Sequence, residues 1–414
     1  MKVLVVGGGG REHALVWKLK QSRLVDEVCC APGNGGIAAI AHCENINAMD
    51  IEAMVDYAKK EGFSLVVVAP DDPLAAGMVD AMEAADIKAF GPNKAAARIE
   101  ASKSFSKQLM QKYGIPTAAY AVFDEYDKAI EYLSNQSYPL VVKADGLALG
   151  KGVIICDNID EATAAVFSMM RGGAFGAAGS RVVIEEFLEG PEVSVLAFTD
   201  GKTCLPMISA QDHKRALDGD KGPNTGGMGA FAPSPKYTSD IMKTVERDII
   251  FPTVEAMNSE GCRFKGVIYF GLMLTKDGPK VLEYNARFGD PEAQAVLPML
   301  ENDIAEVMLA VIDERLEDIT LKWRTGAAVC VVMASRGYPG EYEKGLPISG
   351  IEDAGLVFHA GTRLEEGRYY TNGGRVLAVS AMGDDISGAR AAAYDALSRI
   401  SFEGAQFRTD IGLK

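Results

Sequence analysis

The stretch KVLEYNARFGDPEAQ, residues 280–294, decides how the rest of the chain is read. On a strand beginning at Val281, Glu283, Asn285 and Arg287 fall at i, i+2 and i+4, so all three are expected on one face. A carboxylate, an amide oxygen and a guanidinium projecting together make poor core packing. The oxygen pair suits Mg²⁺, or Mn²⁺, which accepts the same donors. The arginine suits charge that develops on a transferring phosphoryl group. A structural salt-bridge ladder is the competing reading.

Working outward, VVKADGLALGKGV (residues 141–153) ends an apolar strand on Lys143 and continues through a turn rich in glycine, with Gly146, Gly150, Lys151 and Gly152. Glycines let backbone close over an anion, and lysine ammonium groups supply point charges for phosphate. An exposed hairpin with solvated lysines has the same composition. In VVIEEFLEGPEVSV (residues 182–195), Glu185 and Glu186 end one strand and Glu192 opens the next. Such an edge can read an amino-purine through its backbone, while a carboxylate takes ribose hydroxyls; two solvated acids are the plainer alternative. The segment AQDHKRALDGDKGPNTGGMGAFAP (residues 210–233) reads as a long loop. Long loops are functional or disordered. Its Asp212, His213 and Lys214 suit a small zwitterionic substrate and nucleotide phosphates.

The N-terminus, MKVLVVGGGGREHALVWKLK, is strand, glycine turn and helix, a common phosphate site. A dinucleotide fingerprint needs a third small residue, and that place holds Glu12 or His13, which counts against a nicotinamide cofactor. Residues 2–6 and 64–69 read as strands, 53–60 and 75–85 as helices, giving a doubly wound parallel-sheet α/β domain over 1–100. One helix is expected over 94–112, closed by Gly114 and Pro116. A second domain is expected over 101–322, with a lid subdomain at about 117–190, and a small β-rich C-terminal domain over 323–414 that ends on a helix at 387–398.

The 414 residues carry a net charge of -15, and no run of Lys and Arg exceeds two, so neither duplex nucleic acid nor a membrane is an expected partner. Residues 1–6 lead straight into a strand, so no signal peptide is expected, and no apolar run nears the roughly 20 residues that span a bilayer. Seven scattered cysteines without a C-x-x-C pair suit reduced thiols in a cytoplasmic protein.

Together with VLVVGGGGREHAL, PGNGG (residues 32–36), TNGGRVLAV and FRTDIG, these motifs resemble the phosphoribosylamine–glycine ligase family of the ATP-grasp superfamily over essentially the whole chain. The resemblance implies an ATP-grasp core with a mobile lid. It also implies a ligase of purine synthesis joining glycine to 5-phosphoribosylamine through a glycyl phosphate, with ATP and a divalent metal, commonly as a monomer. Carried over by position, Lys103 and Lys143 resemble the phosphate lysines, residues 146–152 the lid, and Glu185 and Leu188 the adenine edge. Glu192 resembles the ribose carboxylate, Glu283 and Asn285 the metal ligands, and Arg287 the phosphoryl-stabilising arginine. Asp212 and Asp290 are candidates for the glycine and amine end. Gly8, Gly9, Gly10 and Arg11, with Asn34 and Gly35, are expected to cradle the 5-phosphate. One departure is the strand before Glu283, GVIYFGLML, which lacks the second acidic ligand many ATP-grasp enzymes place there. The runners-up are an ATP-grasp ligase with another carboxylate substrate and a nicotinamide-dependent oxidoreductase.

Overall fold

Apolar β-branched runs flanked by glycine turns set the N-terminal layer. The computed structural model describes residues 1–148 and 152–413. Strands β1 (Lys2–Gly7), β2 (Glu27–Pro32), β3 (His42–Cys43), β4 (Leu65–Val68) and β5 (Ala89–Phe90) form a parallel sheet in the order β3-β2-β1-β4-β5. Helices α1 (Gly10–Leu19), α2 (Gly35–Ala38) and α3 (Ile51–Glu61) connect the strands, so the sheet is doubly wound. The helix expected over 75–85 is instead two, α4 (Asp71–Ala76) and α5 (Met78–Glu83), because Gly77 takes φ +101 between them. The helix expected over 94–112 is also broken, into α6 (Lys94–Ala101) and α7 (Lys103–Tyr113). Ser102 adopts an extended backbone there, and its hydroxyl caps α7 by accepting from the Phe105 N–H. That break places Lys103 at the first turn of a helix rather than inside one.

Next come β6 (Tyr120–Phe123), α8 (Tyr126–Leu133), β7 (Leu140–Ala144), β8 (Val153–Cys156), α9 (Ile159–Met170) and β9 (Val182–Glu186). They make an antiparallel sheet, β6-β9-β7-β8, with a core of its own around Val142, Val166 and Ile184. The chain continues through β10 (Glu192–Thr199), β11 (Cys204–Pro206), β12 (Gln211–Asp212), β13 (Arg215–Leu217), β14 (Lys221–Asn224) and β15 (Gly229–Ala232). Helices α10 (Ser239–Val245) and α11 (Phe251–Ser259) precede the long hairpin β16 (Gly266–Thr275) and β17 (Gly278–Asn285), which completes the central sheet β11-β10-β16-β17.

After α12 (Glu292–Met299) and α13 (Ile304–Ile312) come β18 (Ala327–Ala334), β19 (Pro347–Ile348), β20 (Leu356–His359), β21 (Thr362–Glu365), β22 (Arg368–Thr371), β23 (Arg375–Gly383) and α14 (Ile386–Leu397). The C-terminal sheet runs β12-β15-β18-β23-β20. Residues 210–233 are therefore no mobile loop: β12 and β15 are built into the C-terminal sheet, and β13 pairs with β14. One apolar core joins Val3 and Leu15 to Phe198, Val267 and Phe358, so the N-terminal, central and C-terminal layers pack together. No helix among the described residues is long and apolar enough to cross a membrane.

The N- and C-terminal layers also meet through two buried histidines. The His359 backbone N–H donates to His13 Nδ1 at 2.8 Å, which requires that nitrogen to be unprotonated. Burial lowers His13 to about 3, with His359 nearby, and lowers His359 to about 4. The unfolded chain therefore binds more protons than the folded one as pH falls below about 6.5, so stability drops towards pH 4 and is regained as pH rises. We predict that His13→Asn, which keeps an acceptor for the His359 amide, makes the pH dependence of the denaturation free energy shallower by about 1.4 kcal/mol per pH unit between pH 4 and 6. An unchanged slope would mean that His13 is not held neutral.

Candidate active site

The hairpin β16–β17 carries the carboxylate patch. A bulge leaves Leu282 without a ladder partner, while Glu283 pairs with Gly271 and Asn285 with Tyr269, so Glu283 and Asn285 keep a common face. A Cβ on Gly271 would lie 3.0 Å from Glu283 Cγ, so the place opposite Glu283 holds no side chain. Lys214, arriving from the end of β12, puts its ammonium 3.4 Å from Glu283 Oε1 and 3.1 Å from Glu192 Oε2. Lys214 lowers the Glu283 carboxyl to about 2 against the effect of burial, with help from Lys143 and Lys103. Burial would discharge Lys214 itself, yet Glu192, Glu283 and Asp212 together hold it above the ordinary lysine range.

Arg287 does not share that face. The strand ends at Asn285 because the Ala286 N–H leaves the ladder to donate to Glu100 Oε2 at 2.7 Å. The Arg287 guanidinium then turns towards the N-terminal layer, 2.8 Å from Glu100 and 3.9 Å from Asp71, and donates to the Phe288 carbonyl at 3.2 Å. Burial raises Glu100 to about 7, although Arg287 opposes it.

A second patch, which holds the residues expected to meet ATP, lies between the lid sheet and β17. Glu185 Oε2 accepts from two buried ammonium groups, Lys107 and Lys143, each at 2.9 Å. Lys143 also donates to the Leu282 carbonyl at 3.1 Å, and Lys107 to Thr117 Oγ1 at 2.8 Å. Burial lowers Lys107 to about 8, with Glu185 opposing. The Glu185 side chain thus meets both lysines through Oε2, and its backbone lies inside the lid sheet, paired with Tyr120 on one side and Val141 on the other, so the open edge expected at this residue is not there. Glu186, half exposed, accepts from the Ala119 N–H at 3.1 Å. Leu188 joins Ala118, Met273 and Leu282 in a small apolar cluster separate from the main cores. Lys103 Nζ donates to the Gly146 carbonyl at 3.0 Å, and burial lowers its pKa. The Gly152 carbonyl accepts from the Ala144 N–H, while Gly150 and Lys151 lie outside the described residues.

The third patch is the glycine turn. A Cβ on Gly8 would lie 2.3 Å from the Gly33 carbonyl, so only glycine fits that approach. The Gly9 N–H donates to Glu12 at 2.6 Å, and the amide groups of Gly10 and Arg11 open α1. Asn34 caps α2 with its oxygen and donates to the Gly8 and His359 carbonyls, so it shapes the turn; Gly35 packs against the Arg363 backbone. The Arg11 side chain is committed to Glu12 at 2.7 Å and to the Phe288 carbonyl at 3.2 Å. Asp290 stands beside the turn: Cβ atoms on Gly9 and Gly10 would come within 3.6 and 3.7 Å of its carboxylate. Burial would raise its pKa, but Arg375, 3.1 Å away, and Arg11 keep it low. Asp212, on β12, belongs instead with the carboxylate patch: burial raises its pKa well above the ordinary value, Lys214 opposes this, and Glu292, Glu192 and Glu283 add to it.

Sequence patterns did not single out Lys107, Arg375 or Glu292, the last of which accepts from Tyr269 and Ser194 at 3.0 and 3.2 Å. The one available signal was Lys107 standing four residues after Lys103, on the same helix face.

A lid sheet and a central sheet with lysines and acids facing one another between them define an ATP-dependent ligase of the ATP-grasp class. The chain matches the models described as phosphoribosylglycinamide synthetase N domain over residues 1–100, ATP-grasp (A) domain over 101–293 and C domain over 328–414. It belongs to this family. It is 49% identical to the phosphoribosylamine–glycine ligase of Caldanaerobacter subterraneus over 413 residues, covering 99% of both chains. Identity to the trifunctional purine biosynthetic protein adenosine-3 of Gallus gallus is 50% over 421 residues, 100% of this chain and 42% of that one. The crystal structure of the Thermotoga maritima phosphoribosylamine–glycine ligase superposes with a TM-score of 0.86 at 35% identity, covering 99% of this chain and 100% of that one. A Hydrogenobacter thermophilus biotin carboxylase domain shares the fold, with a TM-score of 0.73 at 16% identity, covering 98% of this chain and 91% of that one. The oxidoreductase reading is not favoured.

Glu185 holds two buried ammonium groups, so removing its charge leaves both uncompensated. We predict that Glu185→Gln costs about 3 kcal/mol of stability in denaturant titration; a loss below about 1 kcal/mol would mean that water already screens the cluster.

Proposed function

We propose that the enzyme joins glycine to 5-phosphoribosylamine, giving glycinamide ribonucleotide, ADP and phosphate. The observation that carries the reading is the Phe288 carbonyl, which accepts from Arg287 on the nucleotide side and Arg11 on the glycine-turn side, each at 3.2 Å. Phosphoryl transfer and amine attack must take place on one activated carboxylate, and this contact joins the two patches.

In this reading Lys103 and Lys143 hold the ATP phosphates beside the turn that opens at Gly146. The Leu188 backbone meets adenine, and Glu192 takes the ribose hydroxyls. Glu283, held ionised, and Asn285 offer only oxygen donors, which fits a hard divalent cation. Mg²⁺ or Mn²⁺ bound there would neutralise phosphate charge. Arg287 exchanges its pairing with Glu100 for the transferring phosphoryl group. The glycine carboxylate attacks the γ-phosphorus, ADP departs, and the phosphoribosylamine nitrogen then attacks the acyl carbon and expels phosphate. The N–H groups at residues 8–11 cradle the 5-phosphate. Asp290, beside them, holds the attacking amine, and Asp212 the glycine ammonium. Most of the rate enhancement then comes from positioning and charge neutralisation. A monomeric, cytoplasmic enzyme suits the free cysteines found among the described residues.

ADP release is measured with Mg-ATP while each substrate is omitted in turn, phosphoribosylamine being generated in the cuvette from ribose 5-phosphate and ammonia. The expected result is turnover only with glycine and the amine together, and a loss of at least about a thousandfold in Arg287→Ala. Turnover with a different carboxylate in place of glycine would overturn the substrate assignment.

A further inference from the structure

The motif FRTDIG near the C-terminus holds the largest fully buried side chain among the described residues, Arg408, at 0% exposure. A guanidinium out of water needs acceptors on all sides, and Arg408 finds them in two places. Its Nε and Nη2 donate to Asp410 at 2.7 and 2.6 Å. Its Nη1 reaches the hairpin β13–β14, donating to Asp220 Oδ1 at 2.9 Å and the Arg215 carbonyl at 3.1 Å. Three further contacts run between the same segments: Thr409 N–H to Asp218 Oδ1 at 2.8 Å, the Thr409 hydroxyl to Asp218 Oδ2, and Gly219 N–H to Asp410 Oδ2 at 2.9 Å. The tail is itself fixed to α14, since the Tyr394 hydroxyl donates to the Arg408 carbonyl at 2.7 Å and Arg390 Nε to the Ile411 carbonyl at 3.0 Å.

At its other end the hairpin carries Lys214. The Lys214 carbonyl accepts from both the N–H and the hydroxyl of Thr225 at 2.8 Å, which closes the base of the hairpin. Its ammonium spans Glu192 and Glu283. A two-stranded hairpin is marginal alone in water, and Asp220 at the turn takes the left-handed φ of +55. External contacts therefore fix its position.

We propose that Arg408 is a positioning residue for the ligase reaction: with Asp218, Asp220 and Asp410 it clamps the hairpin to the C-terminal layer, and so holds Lys214 between Glu192 and Glu283. This rests on the assignment of those two acids to the ATP site. The clamp ties the C-terminal tail mechanically to nucleotide binding.

The test uses the full chain. Arg408 is buried and its loss could prevent folding, so the hairpin side is loosened instead with Asp218→Asn and Asp220→Asn together. Both sites are exposed, and asparagine accepts the left-handed backbone at position 220. MgATP affinity is read by titration calorimetry, and KM for both ATP and phosphoribosylamine by ADP release. The pair is expected to weaken MgATP binding about fivefold and leave the phosphoribosylamine KM unchanged, with no further weakening in a Lys214→Met background. Unchanged MgATP affinity in the pair, or the same fivefold loss with Lys214 already removed, would overturn the clamp. Lys214→Met with unaltered MgATP affinity would instead overturn the site assignment on which it rests.

Discussion

One carboxylate shared by two buried lysines joins the parts of the proposed nucleotide site. Glu185 lies on the lid sheet, Lys107 on α7 and Lys143 on β7, and Lys143 passes on to the carbonyl of Leu282, the bulged residue of β17. The bulge frees that carbonyl from the ladder, and the Lys143 ammonium, already paired with Glu185, donates to it as well. Lid, helix and central hairpin thus converge on a few charge-assisted hydrogen bonds, which are short and directional in a dry setting. If Glu185 were apolar, both lysines would be buried charges without a counter-ion in this cluster.

The same economy recurs across the site. The chain is strongly acidic overall, yet its interior gathers cations against acids: Lys214 with Glu192 and Glu283, Arg287 with Glu100, Arg375 with Asp290. In the proposed mechanism each pairing keeps a group charged and fixed before substrate arrives, which lowers the reorganisation needed when phosphate charge enters. Burial raises Glu100 to about 7 even with Arg287 opposing it, so the Arg287 ion pair is poised rather than locked.

What could be read in the sequence followed local rules. Residues 2–6 and 64–69 are continuous apolar runs and became strands, and the alternation that pairs Glu283 with Asn285 held to the end of β17. Where a single residue overrode its neighbours, the pattern misled: Gly77 and Ser102 each divided an otherwise helical stretch, and the Ala286 amide turned Arg287 off the strand. Partners distant in the chain left no local trace. Lys107 finds Glu185, Asp290 finds Arg375, and β15 joins β18 in a sheet that gathers residues about a hundred positions apart. Composition made 210–233 resemble a loop, because its ordering comes from the C-terminal layer and not from its own apolar content.

The central claim is that a carboxylate is activated by phosphoryl transfer and then captured by an amine. Glycine labelled with ¹⁸O in its carboxylate tests this in a single turnover, because the attacking oxygen leaves with phosphorus when the amine displaces phosphate. The account predicts inorganic phosphate carrying one labelled oxygen per molecule of glycinamide ribonucleotide formed. Unlabelled phosphate alongside product would contradict it.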